Sequence, residues 1–233
     1  MPAPEREMID AVVFDLDGVL IRSEEIWNEV REQLARERGG RYDERAQRAM
    51  MGMSAPEWSR YMHEVVGLPE SPDEIVAQVV ALMEARYREE LPLIPGAVEA
   101  VELLAARWPL GVASSSNRIL IDLVLQLSGL DRFFKATVSS EEVARGKPAP
   151  DVYVEACRRL GVEPTRAAAI EDSHAGIASA KAAGMRVIAI PNPSFPPGDE
   201  ALAEADVVLE SLAELTPEAV DGSNSVSGTG PDG

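Results

Sequence analysis

The residues best suited to chemistry in this chain stand at the ends of short apolar runs. Ala11-Val12-Val13-Phe14 stops at Asp15, with Asp17 two positions on and Gly18 directly after. Such a run with β-branched residues reads as a central parallel strand. Two carboxylates at its mouth need a partner, because burying them uncompensated is costly. Alternation along an extended chain puts Asp15 and Asp17 on one side, and Gly18 permits a sharp exit. Taken alone, the segment also fits an acidic turn after a strand. Three further features follow. Ser114-Ser115-Ser116-Asn117 succeeds Val112-Ala113 and opens a helical pattern, where hydroxyls and free backbone donors suit a phosphate. Lys147 is framed by Pro148 and Pro150 ahead of another helix, and Glu171-Asp172-Ser173 succeeds Ala168-Ala169-Ile170. Together these supply oxygen ligands suited to Mg2+, one cation and a phosphate cradle. In open parallel sheets, ligands gather beyond the carboxyl ends of strands, where all four features fall.

The elements that must position them read as two grammars. Residues 24–91 are helical, with predicted helices over 24–38, 42–51, 55–66 and 72–90, punctuated by Gly39-Gly40, Gly52 and Gly67. Ser54 and Ser71 stand at helix starts. After Pro95-Gly96, helices and strands alternate, with strands predicted at 110–113, 133–138, 167–170 and 187–190. That alternation implies βα units and a parallel sheet, which the first strand must join from across the helical block. The helical block is therefore an insertion, entered near Ile21-Arg22-Ser23 and left near Pro92. The expected division is a core of residues 1–22 and 93–220, an insert of residues 23–92, and a disordered tail over 221–233, rich in Gly, Ser, Asn and Asp.

Composition narrows the classes. At 233 residues and 45% hydrophobic, the chain can hold one α/β core and a smaller domain. No run approaches the roughly 20 apolar residues of a membrane span, and the N-terminal segment shows no signal-peptide pattern. A single cysteine, Cys157, fits a reducing cytoplasm and reads as a packed thiol. The net charge of −18 repels nucleic acid and acidic membranes, so neither is an expected partner. The expected state is a monomer.

With its four features in order and in βα context, the chain resembles the haloacid dehalogenase-like hydrolase superfamily, and within it the branch of small phosphatases and β-phosphoglucomutases. The resemblance runs from Val12 to about Leu215. It implies a Rossmann-like core with an all-helical cap inserted after the first strand, the layout the segmentation also gives. It implies Asp15 as nucleophile, forming an aspartyl-phosphate, and Asp17 as general acid/base. It implies Mg2+ held by Asp15, the Asp17 carbonyl and Asp172, with Glu171 joining in some members. Ser114 and Lys147 match the phosphate-stabilising pair. Ser115, Asn117, Gly52, Met53 and Trp27 are candidate substrate contacts. His174 and His63 read as ordinary surface or packing residues, and Met50, Met51 and Met53 as packing around a cap loop.

The β-phosphoglucomutases of this branch carry a histidine where this chain has Trp27, and an arginine where Gly52-Met53-Ser54 is followed by Ala55. Lacking both, the chain is expected to hydrolyse a small sugar, polyol or acid phosphate without gripping a second phosphate. A sugar phosphomutase is the alternative enzyme. A catalytically silent binder has no need of the whole set Asp15, Asp17, Ser114, Lys147 and Asp172. Arg22 replaces the acidic residue usual before Ser23; of two roles, meeting an anionic part of the substrate or pairing with a cap carboxylate, the second is the expected one.

Overall fold

In the computed structural model, which describes residues 8–50 and 53–222, six parallel strands form one sheet. They are β1 (Ala11–Phe14), β2 (Leu110–Ser114), β3 (Phe134–Ser139), β4 (Ala167–Glu171), β5 (Arg186–Ala189) and β6 (Val207–Val208). Their order across the sheet is β3-β2-β1-β4-β5-β6, with β1 between β2 and β4. This is the Rossmann-like doubly wound order, and the direction of winding reverses at the β1–β4 pair. Every residue of β1, β2 and β4 is buried. Alternation sends Val12 and Phe14 into one core with Val112 and Ile170, and Ala11 and Val13 into the other with Ala113 and Ala169. Both faces are covered, which is why these strands read as continuous apolar runs.

Helices α1 (Glu24–Arg38), α2 (Glu44–Met50), α3 (Ala55–Tyr61) and α4 (Pro72–Glu89) lie between β1 and α5 (Ala97–Ala105) in sequence. The predicted helix over 55–66 instead passes from α3 into a π-helical turn, Met62–Val66, closed by left-handed Gly67. Ser54 with Glu57, and Ser71 with Glu74, form reciprocal capping boxes at α3 and α4. The two connections to this helical insert run side by side. Arg22 N–H donates to the Pro92 carbonyl at 2.8 Å and Ile94 N–H to the Leu20 carbonyl at 2.9 Å. The Arg22 side chain is exposed and makes no ion pair among the described residues, so the expected pairing with a cap carboxylate is absent; only its backbone serves the hinge.

The rest of the core comprises α6 (Arg118–Ser128), α7 (Asp151–Leu160), α8 (His174–Ala182), α9 (Asp199–Glu204) and α10 (Pro217–Asp221). Helices α5 and α6 pack on one face of the sheet, α7 and α8 on the other. Asp221, expected to begin the disordered tail, closes α10 instead and accepts a hydrogen bond from Arg107 at 2.8 Å. Residues 223–233 lie outside the described part. No described helix is long and apolar enough to cross a membrane.

Candidate active site

The site follows from the strand order. Register places Phe14 beside Ile170, so the next residues, Asp15 and Glu171, emerge together where the winding reverses. Asp15, Glu171 and Asp172 are all buried, and one oxygen from each lies within 4.8 Å of the others. Lys147 reaches into this cluster from the loop before α7, its peptide bond to Pro148 being cis. Its Nζ donates to Asp15 Oδ1 at 2.7 Å and to Glu171 Oε1 at 2.6 Å, with the side chain 4% exposed. The ammonium also lies 4.9 Å from the centre of the Tyr153 ring, whose hydroxyl donates to Glu171 at 2.7 Å.

Glu171 is saturated with donors. Its other oxygen accepts from the Asp172 and Ser173 N–H groups and from Ser173 Oγ. Asp172, by contrast, accepts no hydrogen bond from a described side chain, and Asp15 Oδ2 is similarly free. Two glycines make the cluster sterically possible. A Cβ on Gly176 of α8 would sit 1.8 Å from Glu171 Oε1, and one on Gly18 would sit 1.9 Å from Asp172 Oδ2. Gly18 also takes a left-handed φ of 84°, which lets the chain turn off β1.

Burial pushes the Asp15 carboxyl well above the usual carboxylate range, against Lys147 and reinforced by Glu171 and Asp17. Burial likewise raises Asp172, with Glu171, Asp15 and Glu24 adding to it. Lys147 is raised too: burial opposes its charge, but Asp15 and Glu171 outweigh that. Three carboxylates against one ammonium leave two uncompensated negative charges in a buried cluster. A divalent cation taking oxygen ligands fits that deficit, and the free oxygens of Asp15 and Asp172 are placed for it.

Asp17 faces a different set of partners. Ser23 Oγ and Trp27 Nε1 donate to its Oδ1, the latter at 3.4 Å. Ser114 Oγ and Ser116 Oγ donate to Oδ2 at 3.2 and 2.6 Å. Its carboxylate therefore ties the first turn of the helical insert to the end of β2. The two aspartates open on one cavity, as alternation implies, but their carboxylates are held by separate partners.

That cavity, of about 410 Å³, gathers Asp15, Asp17, Trp27, Met53, Ser115, Asn117, Lys147 and Asp172 from the sequence-predicted residues. Ser114 and Glu171 are fully buried behind it. Asn117 also donates from Nδ2 to Glu141 at 2.6 Å, while Glu141 accepts the Arg118 N–H at the start of α6. Gly52 and Met51 lie outside the described residues. Met50 is packed in the core with its edge on the cavity, and His174 is exposed at the rim. His63 is remote, its Nδ1 donating to the carbonyls of Leu68 and Glu70. Cys157 is buried, and burial lifts its thiol to about 11, as an inert packed thiol requires.

Two cavity residues carry charge that the sequence pattern did not single out. Glu24 opens α1 with a buried Oε2 that has no partner among the described residues, and burial followed by repulsion from Asp17 raises its pKa to about 7. Arg31, two turns into α1, is buried against Trp27 and Trp58. On an amphipathic helix both read as solvent-facing charges; only the spacing of Glu24, Trp27 and Arg31, roughly one turn apart, could have marked a common face.

Residues 9–184 match the family described as haloacid dehalogenase-like hydrolase. The chain is 35% identical over 209 residues to validoxylamine A 7'-phosphate phosphatase of Streptomyces hygroscopicus subsp. limoneus, covering 89% of this chain and 96% of that protein. It is 35% identical over 212 residues to hexitol phosphatase B of Escherichia coli, covering 88% of this chain and 94% of that protein. Among solved structures, CbbY from Rhodobacter sphaeroides in complex with xylulose-(1,5)-bisphosphate superposes with a TM-score of 0.82 at 28% identity, covering 92% of this chain and all of that one.

Proposed function

The chain belongs to the haloacid dehalogenase-like hydrolase family, and from that premise we propose that it is a Mg2+-dependent phosphatase of small phosphorylated metabolites working through an aspartyl-phosphate on Asp15. Phosphoric monoester hydrolysis is the activity its named relatives share, and sugar or polyol phosphates are the substrate class they point to. The observation that carries the mechanism is the asymmetry of Asp15. Lys147 holds Oδ1, Oδ2 accepts no hydrogen bond from the described side chains, and the residue lines the cavity.

In this reading Oδ2 attacks phosphorus while Lys147 offsets charge on the transferring oxygens, an effect that is stronger in a water-poor site. The leaving alkoxide takes a proton from Asp17, which later removes one from the water that attacks the phosphoenzyme. For that exchange one of Asp17's four donors gives way to the substrate oxygen or water. Ser114 sits behind Asp17 and fixes its carboxylate, while Ser115 and the start of α6 border the phosphate. Asp15, the Asp17 carbonyl and Asp172 are the proposed Mg2+ holders. Bound there, the ion supplies charge neutralisation and alignment of the phosphoryl oxygens. Glu171 differs from them: with both its oxygens occupied by donors, we assign it to anchoring Lys147 rather than to the metal.

Phosphate release from a panel of phosphorylated sugars, polyols and sugar acids tests this. Activity in Mg2+, loss in EDTA and recovery on re-addition are expected, with Ca2+ a poor substitute because it prefers more and longer bonds. Isomerisation of β-glucose 1-phosphate, primed by its bisphosphate, with negligible free phosphate would replace the phosphatase reading by a mutase. Full turnover in EDTA would remove the metal from the mechanism.

A further inference from the structure

Arg31 is nine-tenths buried, at 9% exposure, yet it makes no hydrogen bond or ion pair among the described residues. Its Nε is sealed from solvent with no partner. The guanidinium carbon lies 4.8 Å from the centre of the Trp27 ring and 4.9 Å from that of Trp58, and the two rings are 6.0 Å apart. Two indole faces thus hold a planar cation in place while leaving its donors unused. Burial draws its pKa down to about 10, opposed by Tyr42 and Asp17, so it remains charged at neutral pH. The residue lines the same cavity as Asp15 and Lys147.

A buried cation without a counter-ion is costly unless something supplies one. Asp17 is already engaged by four donors. Lys147 is committed to Asp15 and Glu171, which leaves Arg31 as the unpaired cation among the described lysines and arginines of the cavity. One planar monocation matches one planar monoanion, with two parallel N–H donors to two oxygens. A second phosphate would bring up to two negative charges to this single cation, in a chain of net charge −18. Trp27 and Ala55 led to the expectation of no grip on a second phosphate; Arg31 offers a grip for a smaller anion from a different position.

We propose that Arg31 binds a carboxylate at the end of the substrate remote from the phosphate, so that phosphorylated sugar acids are preferred over the matching neutral polyol phosphates. This rests on the phosphatase reading above. The test uses pairs that differ only at the terminal carbon: 3-phosphoglycerate with glycerol 3-phosphate, 4-phosphoerythronate with erythritol 4-phosphate, and 6-phosphogluconate with sorbitol 6-phosphate. In at least one pair, kcat/KM for the acid should exceed that for the alcohol by about 10- to 100-fold. Arg31→Leu should collapse that ratio toward one, and Arg31→Lys, which keeps charge without the planar fork, should retain part of it. Equal use of acid and alcohol in every pair by the wild type overturns the proposal without any variant having to fold. So does a preference that survives in folded Arg31→Leu protein. Preference for sorbitol 1,6-bisphosphate over 6-phosphogluconate would reassign Arg31 to a second phosphate. The same compounds titrated calorimetrically into Asp15→Asn protein with Mg2+ report binding without turnover. Selective acid binding there, with no hydrolysis by the wild type, would defeat the phosphatase reading and leave the Arg31 subsite standing.

Discussion

Replacing Glu24 by Gln should stabilise the metal-free protein at pH 8 and do little near pH 4.5. The wild-type carboxyl is buried beside Asp17 with one oxygen unpartnered among the described residues, and its pKa rises from 4.5 to about 7. The folded state therefore holds this proton more tightly than the unfolded chain does. Stability contributed by that proton is fully present below pH 4.5, drains as pH climbs, and is gone above about pH 7. Over that interval, at about 1.36 kcal/mol per pH unit, the loss is roughly 3 kcal/mol. For a chain of this size, about 2–4 °C per kcal/mol converts it to roughly 6–12 °C in Tm. The protonated wild-type carboxyl and the Gln amide leave the same buried polar atom poorly paired, at a cost of about 1–3 kcal/mol in either, so that cost cancels between the two proteins at every pH. The slope difference therefore isolates the charge. Thermal unfolding of both proteins in EDTA between pH 5 and 8.5 should show the curves diverging as pH rises, with the variant losing less. Parallel curves across that range would refute the argument.

Other expectations follow from the same cluster. Asp15→Asn should abolish phosphate release in a folded protein, whereas Asp17→Asn should lower kcat by about 10²- to 10⁴-fold while Mg2+ binding persists; wild-type rates from either would remove that residue from the mechanism. Lys147→Met breaks ion pairs of 2.7 and 2.6 Å at a side chain 4% exposed. It should lower stability in EDTA by about 3–5 kcal/mol and kcat by about 10²- to 10³-fold, and unfolding curves unchanged in EDTA would contradict the geometry. Gly18→Ala adds a Cβ 1.9 Å from Asp172 Oδ2 at a left-handed φ. A loss of about 1–2 kcal/mol and a roughly 10- to 100-fold weaker Mg2+ affinity by calorimetry are expected, while unaltered Mg2+ binding would show that Asp172 does not need that space.

What could be read beforehand depended on whether residue type or three-dimensional neighbourhood decided the matter. Helix α1 ran over Glu24–Arg38 as expected, because Gly39 and the amphipathic period mark it locally. Strands β1, β2 and β4 were legible as buried apolar runs ending in polar residues. Strand β6, two residues long, carries no such pattern, and α9, β6 and α10 follow a stretch from which no element was read. The carboxylates of the cluster announced themselves at the ends of apolar strands, whereas Lys147, a loop lysine that alone reads as solvated, was marked by Pro148 and Pro150 and by the other motifs. Glu24 and Arg31 did not, since a charge on a helix acquires meaning only from what packs over it. The direction in which Asp17 points was equally out of reach, being set by Ser23, Trp27, Ser114 and Ser116 across the hinge.

The place of β1 in the sheet has a consequence for how the chain is made. It leaves the ribosome first, yet both its neighbours come late: β2 at residues 110–114 and β4 at 167–171. At synthesis rates of ~5–20 residues per second, the strand waits on the order of 10–30 s for its second partner. Throughout that interval Asp15 remains apart from Glu171 and Asp172, and solvated, so the repulsion among them is deferred until β4 docks. The helical insert, whose contacts among α1, α3 and α4 are comparatively local, can condense meanwhile. Closing the sheet is thus the step that concentrates the negative charge, and on the proposed mechanism that same step assembles the binding site for Mg2+. Ion capture would then act as a thermodynamic latch on the last long-range pairing of the fold.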